Sequence, residues 1–372
     1  MERYVSQEAL ARLEQTLPSL AGRAQMQAKL ELAWHLRQRD SARALQLCQL
    51  LQQSEPLPSD LLVARCMLVQ GEVKWLFGEL DLALQLANIA VLIFEREQDA
   101  IGLADSYCLL GNIAHEQGQP ALRHQSWQIA IEQAQQAGDA LRLGAMQALL
   151  ALSASHSDPQ LARQQWQQRL RHDAPNLAPS LLACFQEFQG EIGIFGNMGA
   201  GLALLMQAFQ GYLSHGNVQR AILVACHIGQ HFCHINDFQN ALEWQQRGLN
   251  LARESAWPGS IGLCLINMGE CLRCLGRLEA AQQFMQEGLQ HLGALPRSTH
   301  CAIGLIMFAR LQLAQDDCQQ ALQTFLIQQH KAALLERYDL ESDALLGMAR
   351  AHLKLGDASA ALDVAQQALK LA

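Results

Sequence analysis

The sequence predicts an all-α fold, a right-handed solenoid of about nine helical hairpins. Small residues recur at intervals of about 40 residues in two columns, and such a period is the signature of a repeat array. The first column reads Ala33, Gly71, Gly111, Gly190, Gly229, Gly269, Ala309 and Ala349. The second reads Ala44, Ala83, Ala162, Ala241, Ala281, Ala321 and Ala361. Composition agrees, because hydrophobic residues make up 50% of the chain and aromatic residues only 6%, which suits packed helices better than β-sandwiches.

The clearest repeat, residues 257–293, has the pattern of a helix–turn–helix hairpin. Apolar residues recur at helical spacing up to Gly276, which is expected to end the first helix. A second apolar stripe then follows at Leu278, Ala281, Met285 and Leu289. We expect the two helices to cross at Gly269 and Ala281, because small side chains let two backbones approach each other closely.

The repeats predict how the chain is divided. An N-terminal helical cap is expected over 1–19 and a superhelix over 20–372. Its units are expected near 20–59, 60–99, 100–139, 140–178, 179–217, 218–257, 258–297, 298–337 and 338–372. The fourth and fifth units fit least well, because Leu150 replaces a small residue and five glycines fall between 190 and 201. We therefore expect an irregular hinge over 150–201.

The repeated unit resembles the tetratricopeptide repeat (TPR), on motifs such as Leu110-Gly111, Gly356-Asp357 and Ala361-Leu362. The resemblance covers roughly residues 20–372 and implies a superhelix whose first helices line a concave groove. HEAT and armadillo repeats, which have a similar period, are the alternative. The opening unit at 30–51 is similar to the first repeat of TPR regions that precede GGDEF or adenylate cyclase modules in bacterial signalling proteins. No GGDEF motif occurs in this chain.

The TPR resemblance implies that the residue after each small residue of the first column faces the groove. That row reads Glu72, Asn112, Ala151, Glu191, Gln230, Glu270, Arg310 and Arg350, and the neighbouring turns add His227, His234, Asn267 and Arg273. The three arginines are expected to take the carboxylate or phosphate of a peptide or small acidic ligand. Asn267 resembles the asparagine with which peptide-binding TPRs hold a ligand's backbone. The alternative is a solvated face whose charges pair across helices, such as Glu270 with Arg310.

Histidines and cysteines cluster in the sixth and seventh units. The metal-ligand candidates are Cys233, His234, Cys271 and Cys274, but structural zinc sites usually place a Cys-x₂-Cys pair on a turn and not within a helix. Ordinary packing of small thiols in helices is the favoured interpretation. We predict no metal and no cofactor.

Bulk properties exclude several function classes. The formal net charge of −8 argues against a nucleic-acid partner, and no run of apolar residues is long enough to span a membrane. The first residues lack the pattern of a signal peptide, and the eleven cysteines are spaced too irregularly for a disulfide framework. These observations indicate a cytoplasmic protein. Since no catalytic triad, carboxylate pair or His-Glu-x₂-His motif stands out, we expect no enzyme activity.

We therefore predict a non-catalytic sensor or interaction region that binds a peptide, a protein or a small acidic ligand in its groove. It is expected to regulate a fused or partner effector, such as a GGDEF module that makes cyclic di-GMP. The alternative is a constitutive protein–protein scaffold without a small-molecule switch. At the C-terminal end, Ala361, Leu362, Ala365, Ala368 and Leu369 are expected to face water. Either a following domain or a second copy in a homodimer would cover them.

Overall fold

A computed structural model describes residues 2–53, 59–155, 160, 164, 177–194, 196–293, 295–335 and 337–371. The first half of the chain forms α1 (Gln7–Thr16), α2 (Gly22–Leu36), α3 (Ser41–Gln52), α4 (Asp60–Leu76), α5 (Leu80–Arg96), α6 (Ala100–Glu116), α7 (Pro120–Gln136), α8 (Ala140–Ser155) and α9 (Pro179–Gly193). The second half forms α10 (Met198–His215), α11 (Val218–His234), α12 (Phe238–Ser255), α13 (Pro258–Cys274), α14 (Leu278–Leu292), α15 (Thr299–Ala314), α16 (Cys318–Leu334), α17 (Tyr338–Lys354) and α18 (Ala358–Leu371).

From α2 onward, the helices follow one another as hairpins, and the described residues contain no β-strand. This confirms the predicted fold class, an all-α array of TPR-like hairpins. We call α2, α4, α6, α8, α9, α11, α13, α15 and α17 the first helices. Ala162 lies outside the described residues, as do 156–159, 161–163, 165–176 and 195 of the predicted hinge.

Local chemistry explains where the hairpins turn. Gly276 and Gly356 have φ of +73° and +83° after the first helices α13 and α17, a conformation that glycine adopts without steric cost. Asn236 and Asp316 take the same place after α11 and α15, with φ of +60° and +66°. Asparagine and aspartate are the residues that tolerate this region best after glycine. The predicted end of the first helix at Gly276 is confirmed.

Small residues allow the helices to cross, as predicted. A Cβ atom on Gly269 would lie 2.4 Å from Cγ of Met285 and 3.1 Å from the backbone oxygen of Ala281. In the glycine-rich stretch, a Cβ atom on Gly190 would lie 3.1 Å from the backbone oxygen of Gly201. These glycines therefore serve close packing between the two helices of a hairpin.

The chain forms two compact units. Unit 1 comprises Met1–Ala114, Ala121–Val224 and Glu254–Trp257, and unit 2 comprises His115–Pro120, Ala225–Arg253 and Pro258–Ala372. Each unit has its own buried apolar residues, such as Trp127 and Met146 in unit 1 and Met285 and Phe325 in unit 2. No helix in the described ranges combines the length and apolarity needed to cross a bilayer.

The last helix corrects one expectation. Leu362 and Leu369 on α18 are 60% and 77% exposed, as predicted, but Ala361 and Ala368 are buried at 4% and 3% and Ala365 is half-buried. Ala368 belongs to the apolar cluster that contains Ala344 and Leu345 of α17. The alanines therefore form the seam of the last hairpin, and the leucines occupy its outer side.

Candidate functional site

Polar side chains on the first helices of unit 2 are joined to one another across neighbouring hairpins. On α11 and α13, Gln230 Nε2 donates to Oδ1 of Asn267 at 3.1 Å. One turn further along α13, Arg273 donates to both carboxylate oxygens of Glu270, from Nε at 2.8 Å and from Nη2 at 2.9 Å. This bidentate geometry is the strongest form of a guanidinium–carboxylate pair.

The series continues to the next two first helices through Arg310 on α15. Its Nη1 atom lies 3.8 Å from Oε1 of Glu270, and its Nη2 atom lies 3.0 Å from Oδ2 of Asp343 on α17. Four successive first helices are thus linked by side-chain contacts. We call this set the polar ladder, and it comprises Gln230, Asn267, Glu270, Arg273, Arg310 and Asp343.

The electrostatics of the ladder are balanced, because two arginines face two carboxylates. Glu270 raises the pKa of Arg273 through the bidentate hydrogen bond, against the lowering effect of burial. The exposed fraction of the side chains increases along the ladder, from 15% for Glu270 to 30% for Arg310 and 46% for Asp343. The pair Glu270–Arg310, predicted from the sequence as an example of charges that pair across helices on a solvated face, is present at 3.8 Å.

Some residues predicted for the groove are not members of the ladder, among them Glu191, His227, His234 and Arg350, and His227 is half-buried on α11. Glu191 is half-buried on α9 in unit 1. Arg350 is exposed on α17 and makes no ion pair within the described residues. His234 is exposed at the end of α11, where its ring centroid lies 6.0 Å from that of His231. Within the ladder, Asn267 is only 2% exposed, so its side chain lies beneath the surface of α11 and α13.

Two features of unit 2 were missed from the sequence. Asp343, the last member of the ladder, lies on α17 two turns before Arg350. It could have been predicted by including the residue two turns before Arg350 among the groove-facing residues. The second feature is the contact of the half-buried His300 with the buried Glu116, whose Nδ1 and Oε1 atoms lie 3.8 Å apart. Burial raises the pKa of Glu116 to about 7 and lowers that of His300 to about 4, with a smaller contribution from His227. The two residues are far apart in sequence, and no local pattern predicts their contact.

The cysteines of α11 and α13 face one another in two pairs. The Sγ atoms of Cys233 and Cys271 lie 2.8 Å apart, and those of Cys226 and Cys264 lie 3.5 Å apart. The hydrogen bond from Cys271 lowers the pKa of the Cys233 thiol. The two remaining metal candidates, His234 and Cys274, are exposed. Within the described ranges, no three His, Cys, Asp or Glu side chains converge well enough to hold a metal ion.

In unit 1, Glu72, one of the residues predicted to face the groove, is a buried charged residue. Glu72 on α4 is 8% exposed and accepts hydrogen bonds from Arg37 Nε and Gln38 Nε2, both at 2.8 Å. Asp105 on α6 is 4% exposed and accepts from Arg65 and Arg142. Charged side chains of unit 1 therefore also join first helices of successive hairpins.

Comparison with known proteins shows the fold. No family model and no curated protein matches the chain. Among solved structures, it is similar to a Rap protein complexed with competence and sporulation factor, with 15% identity, a TM-score of 0.51 and coverage of 84% of this chain and 93% of that one. It is also similar to aspartyl phosphate phosphatase F from Bacillus subtilis, with 12% identity, a TM-score of 0.50 and coverage of 95% of each chain. At such identities the likeness shows a shared TPR-like fold and nothing about activity.

Proposed function

We propose that this chain is a non-catalytic, cytoplasmic sensor that binds an extended peptide or protein segment along the first helices of unit 2. The observation that carries the proposal is the polar ladder, which crosses four successive first helices and whose side chains, apart from the buried Asn267, are half-buried. Solenoid proteins use such a face for recognition. The Rap protein similar in fold is complexed with competence and sporulation factor, which supports a peptide or protein ligand.

The charge balance of the ladder favours a peptide over a small acid. Arg273 and Arg310 are already paired with Glu270 and Asp343, so a free carboxylate would have to displace an existing partner. A peptide backbone offers donors and acceptors in alternation, and it can exchange hydrogen bonds with the ladder without leaving a charge unpaired. Arg350, which is exposed and unpaired within the described residues, offers a cationic contact for an acidic group of the ligand.

The proposed sensor regulates an effector. The resemblance of residues 30–51 to TPR regions before GGDEF modules supports regulation of a fused or partner effector of that kind. All eleven cysteines are free, which is typical of a reducing compartment.

The exposed Leu362 and Leu369 of α18 support a homodimer through this helix. Sedimentation velocity would detect it, and Leu362→Gln with Leu369→Gln should make the protein monomeric.

The binding proposal is tested with a phage-displayed library of random linear peptides selected on the full chain. Peptides that are enriched should bind about tenfold more weakly to a Glu270→Gln, Arg310→Gln variant, a loss of about 1.4 kcal/mol. The matched control is Arg253→Gln with Glu287→Gln, which removes a more exposed ion pair between the second helices α12 and α14. Equal loss in both variants, or no enrichment, would contradict the proposal.

A second measurement separates a sensor from a scaffold. Hydrogen exchange of the full chain with and without an enriched peptide should change in helices beyond the ladder if binding shifts a conformational equilibrium. Protection limited to the ladder helices would favour the constitutive scaffold.

A further inference from the structure

The irregular segment before α1, residues 2–5, is bound by side chains at the end of α2. Its backbone carbonyls accept three hydrogen bonds, Glu2 O from Trp34 Nε1 at 2.8 Å, Arg3 O from Arg37 Nη2 at 3.2 Å, and Val5 O from Arg39 Nη2 at 2.5 Å. Side-chain donors therefore contact a non-helical backbone, which is how a protein holds a peptide ligand.

The side chain of Arg3 reaches across to α6. Its Nη2 atom donates to Sγ of Cys108 at 2.7 Å, and its Nη1 atom lies 4.0 Å from Oδ1 of Asp105. The side chain is 16% exposed. The segment thus spans first helices of more than one hairpin of unit 1.

The side chain of Tyr4 contacts Arg37 and Gln38. The guanidinium carbon of Arg37 lies 4.9 Å from the centroid of its ring, within the range of a cation–π interaction. Gln38 Nε2 approaches the phenolic oxygen at 3.5 Å. The position next to Arg3 is therefore shaped for an aromatic ring with a polar edge.

The residues that bind the segment are held in place by other contacts. Glu72 binds both Arg37 and Gln38, and the exposed fractions of Trp34 and Arg37 are 1% each. The contacts of Arg37 and Gln38 with Glu72 are independent of residues 2–5, and side chains positioned in this way lower the entropic cost of binding. Arg37 and Gln38 are therefore held in position for binding by Glu72.

The fit of the segment is incomplete at Arg3. Its Nη1 atom is buried and has no hydrogen-bond partner within the described residues. The carboxylate that it faces, Asp105, already accepts from Arg142 and Arg65. A buried donor without a hydrogen-bond partner is unfavourable, so a competing ligand that avoids this loss has an advantage.

We propose that the C-terminal end of α2 and the adjoining faces of α4 and α6 form a peptide-binding site, and that residues 2–5 occupy it as a tethered pseudo-ligand. The external ligand is a non-helical peptide with an aromatic residue at the position of Tyr4, preceded by a hydrogen-bond donor. Binding displaces the segment. The proposal depends on contacts within unit 1 and does not require the polar ladder of unit 2.

Residues 2–5 are covalently joined to α1, and this tether determines how strongly they compete with an external peptide for the site. A segment joined directly to α1 competes at an effective concentration in the millimolar range. An external peptide therefore binds the intact chain with an affinity reduced by the fraction of molecules whose site is open. Releasing the segment removes that reduction.

The test uses a fluorescein-labelled synthetic peptide with the sequence of residues 2–7, Glu-Arg-Tyr-Val-Ser-Gln. Anisotropy titrations compare the full wild-type chain with an Arg3→Gly, Tyr4→Gly variant, in which the segment loses its side-chain contacts. We expect the variant to bind the peptide at least about tenfold more tightly. Adding Trp34→Phe should reverse part of that gain, because it removes the donor to Glu2 O, whereas Trp244→Phe in unit 2 is the matched control and should not.

A folded variant that fails to bind the peptide, or that binds it no better than the wild type, overturns the proposal. If the variant does not fold, hydrogen exchange of the wild type decides. Millimolar unlabelled peptide should speed exchange in residues 2–8, and a scrambled peptide should not. Unchanged exchange would mean that the segment is a fixed part of the fold.

Discussion

Asp105 on α6 accepts two hydrogen bonds from Arg142 on α8, at 2.8 Å from Nε and 3.0 Å from Nη2. Arg65 on α4 adds a third at 3.1 Å. One buried carboxylate thus ties together the first helices of three successive hairpins. Burial alone would raise the pKa of Asp105, but the neighbouring guanidinium groups, led by Arg142, outweigh it and lower the pKa to about 2.

Replacing this carboxylate should strongly destabilise the protein. Asp105→Asn leaves the guanidinium groups of Arg65 and Arg142 facing a neutral amide, and breaking such a buried pair costs about 3–5 kcal/mol. Urea unfolding at neutral pH measures the loss, and the exposed Asp81→Asn on α5 is the matched control. Because the folded pKa is lowered, the stabilisation is complete above the unfolded pKa of 3.8 and is lost as the pH falls from about 4 to 2. A variant as stable as the wild type at neutral pH would contradict this role.

The small residues of the first column predict that adding a methyl group at one of them destabilises the protein. A Cβ atom on Gly111 would lie 2.2 Å from Cδ1 and 2.3 Å from Nε1 of Trp127, so Gly111→Ala must displace the indole. Overpacking of this kind costs about 1–3 kcal/mol, measured as a lower urea midpoint. Gly199→Ala on α10 is the control, since its Cβ would meet its nearest atom at 3.7 Å and alanine is the better helix former. The interpretation fails if both variants change stability equally.

The 2.8 Å approach of the Cys233 and Cys271 thiols predicts a specific cross-link. Diamide should oxidise the pair to one disulfide between α11 and α13 while being reduced itself. Closing this loop raises the free energy of unfolding by about 2–4 kcal/mol. Mass spectrometry of non-reduced peptides identifies the pair, and Cys233→Ser should abolish it while Cys274→Ser should not. A cross-link to Cys274 in place of Cys271 would count against the geometry.

Glu116 predicts a dependence of stability on pH. Its folded pKa is raised by burial to about 7 from 4.5, so its contribution is fully present below pH 4.5 and is lost as the pH rises to about 7. Glu116→Gln mimics the neutral acid and should therefore match the wild type at low pH.

At pH 8 the same variant should be more stable by up to about 3 kcal/mol. His300, whose pKa is lowered by burial to about 4, acts in the opposite direction, but it is present in both proteins and largely cancels in the comparison. Thermal unfolding across this pH range gives the difference, with the exposed Glu279→Gln on α14 as control. A constant difference between Glu116→Gln and the wild type would rule out this titration.

Much of the fold could be predicted because a repeat array is governed by local rules. The crossing at Gly269 and the turn at Gly276 each follow from a small residue or a helix end within one hairpin. The pair Glu270–Arg310 was also within reach, since residues one period apart lie side by side on adjacent first helices. The continuation to Asp343 follows the same logic.

The contacts that no sequence pattern foreshadowed join residues several repeats apart. Arg3 meets Cys108 within unit 1, and Glu116 meets His300 within unit 2. The sequence by itself determined the hairpins, their period and the contacts between neighbouring repeats, because each of these depends on spacing along a helix. Only the tertiary structure decided which distant segments meet and which predicted groove residues, such as Asn267, are buried. Small rotations between successive hairpins add up along the array, and a linear pattern does not encode their sum.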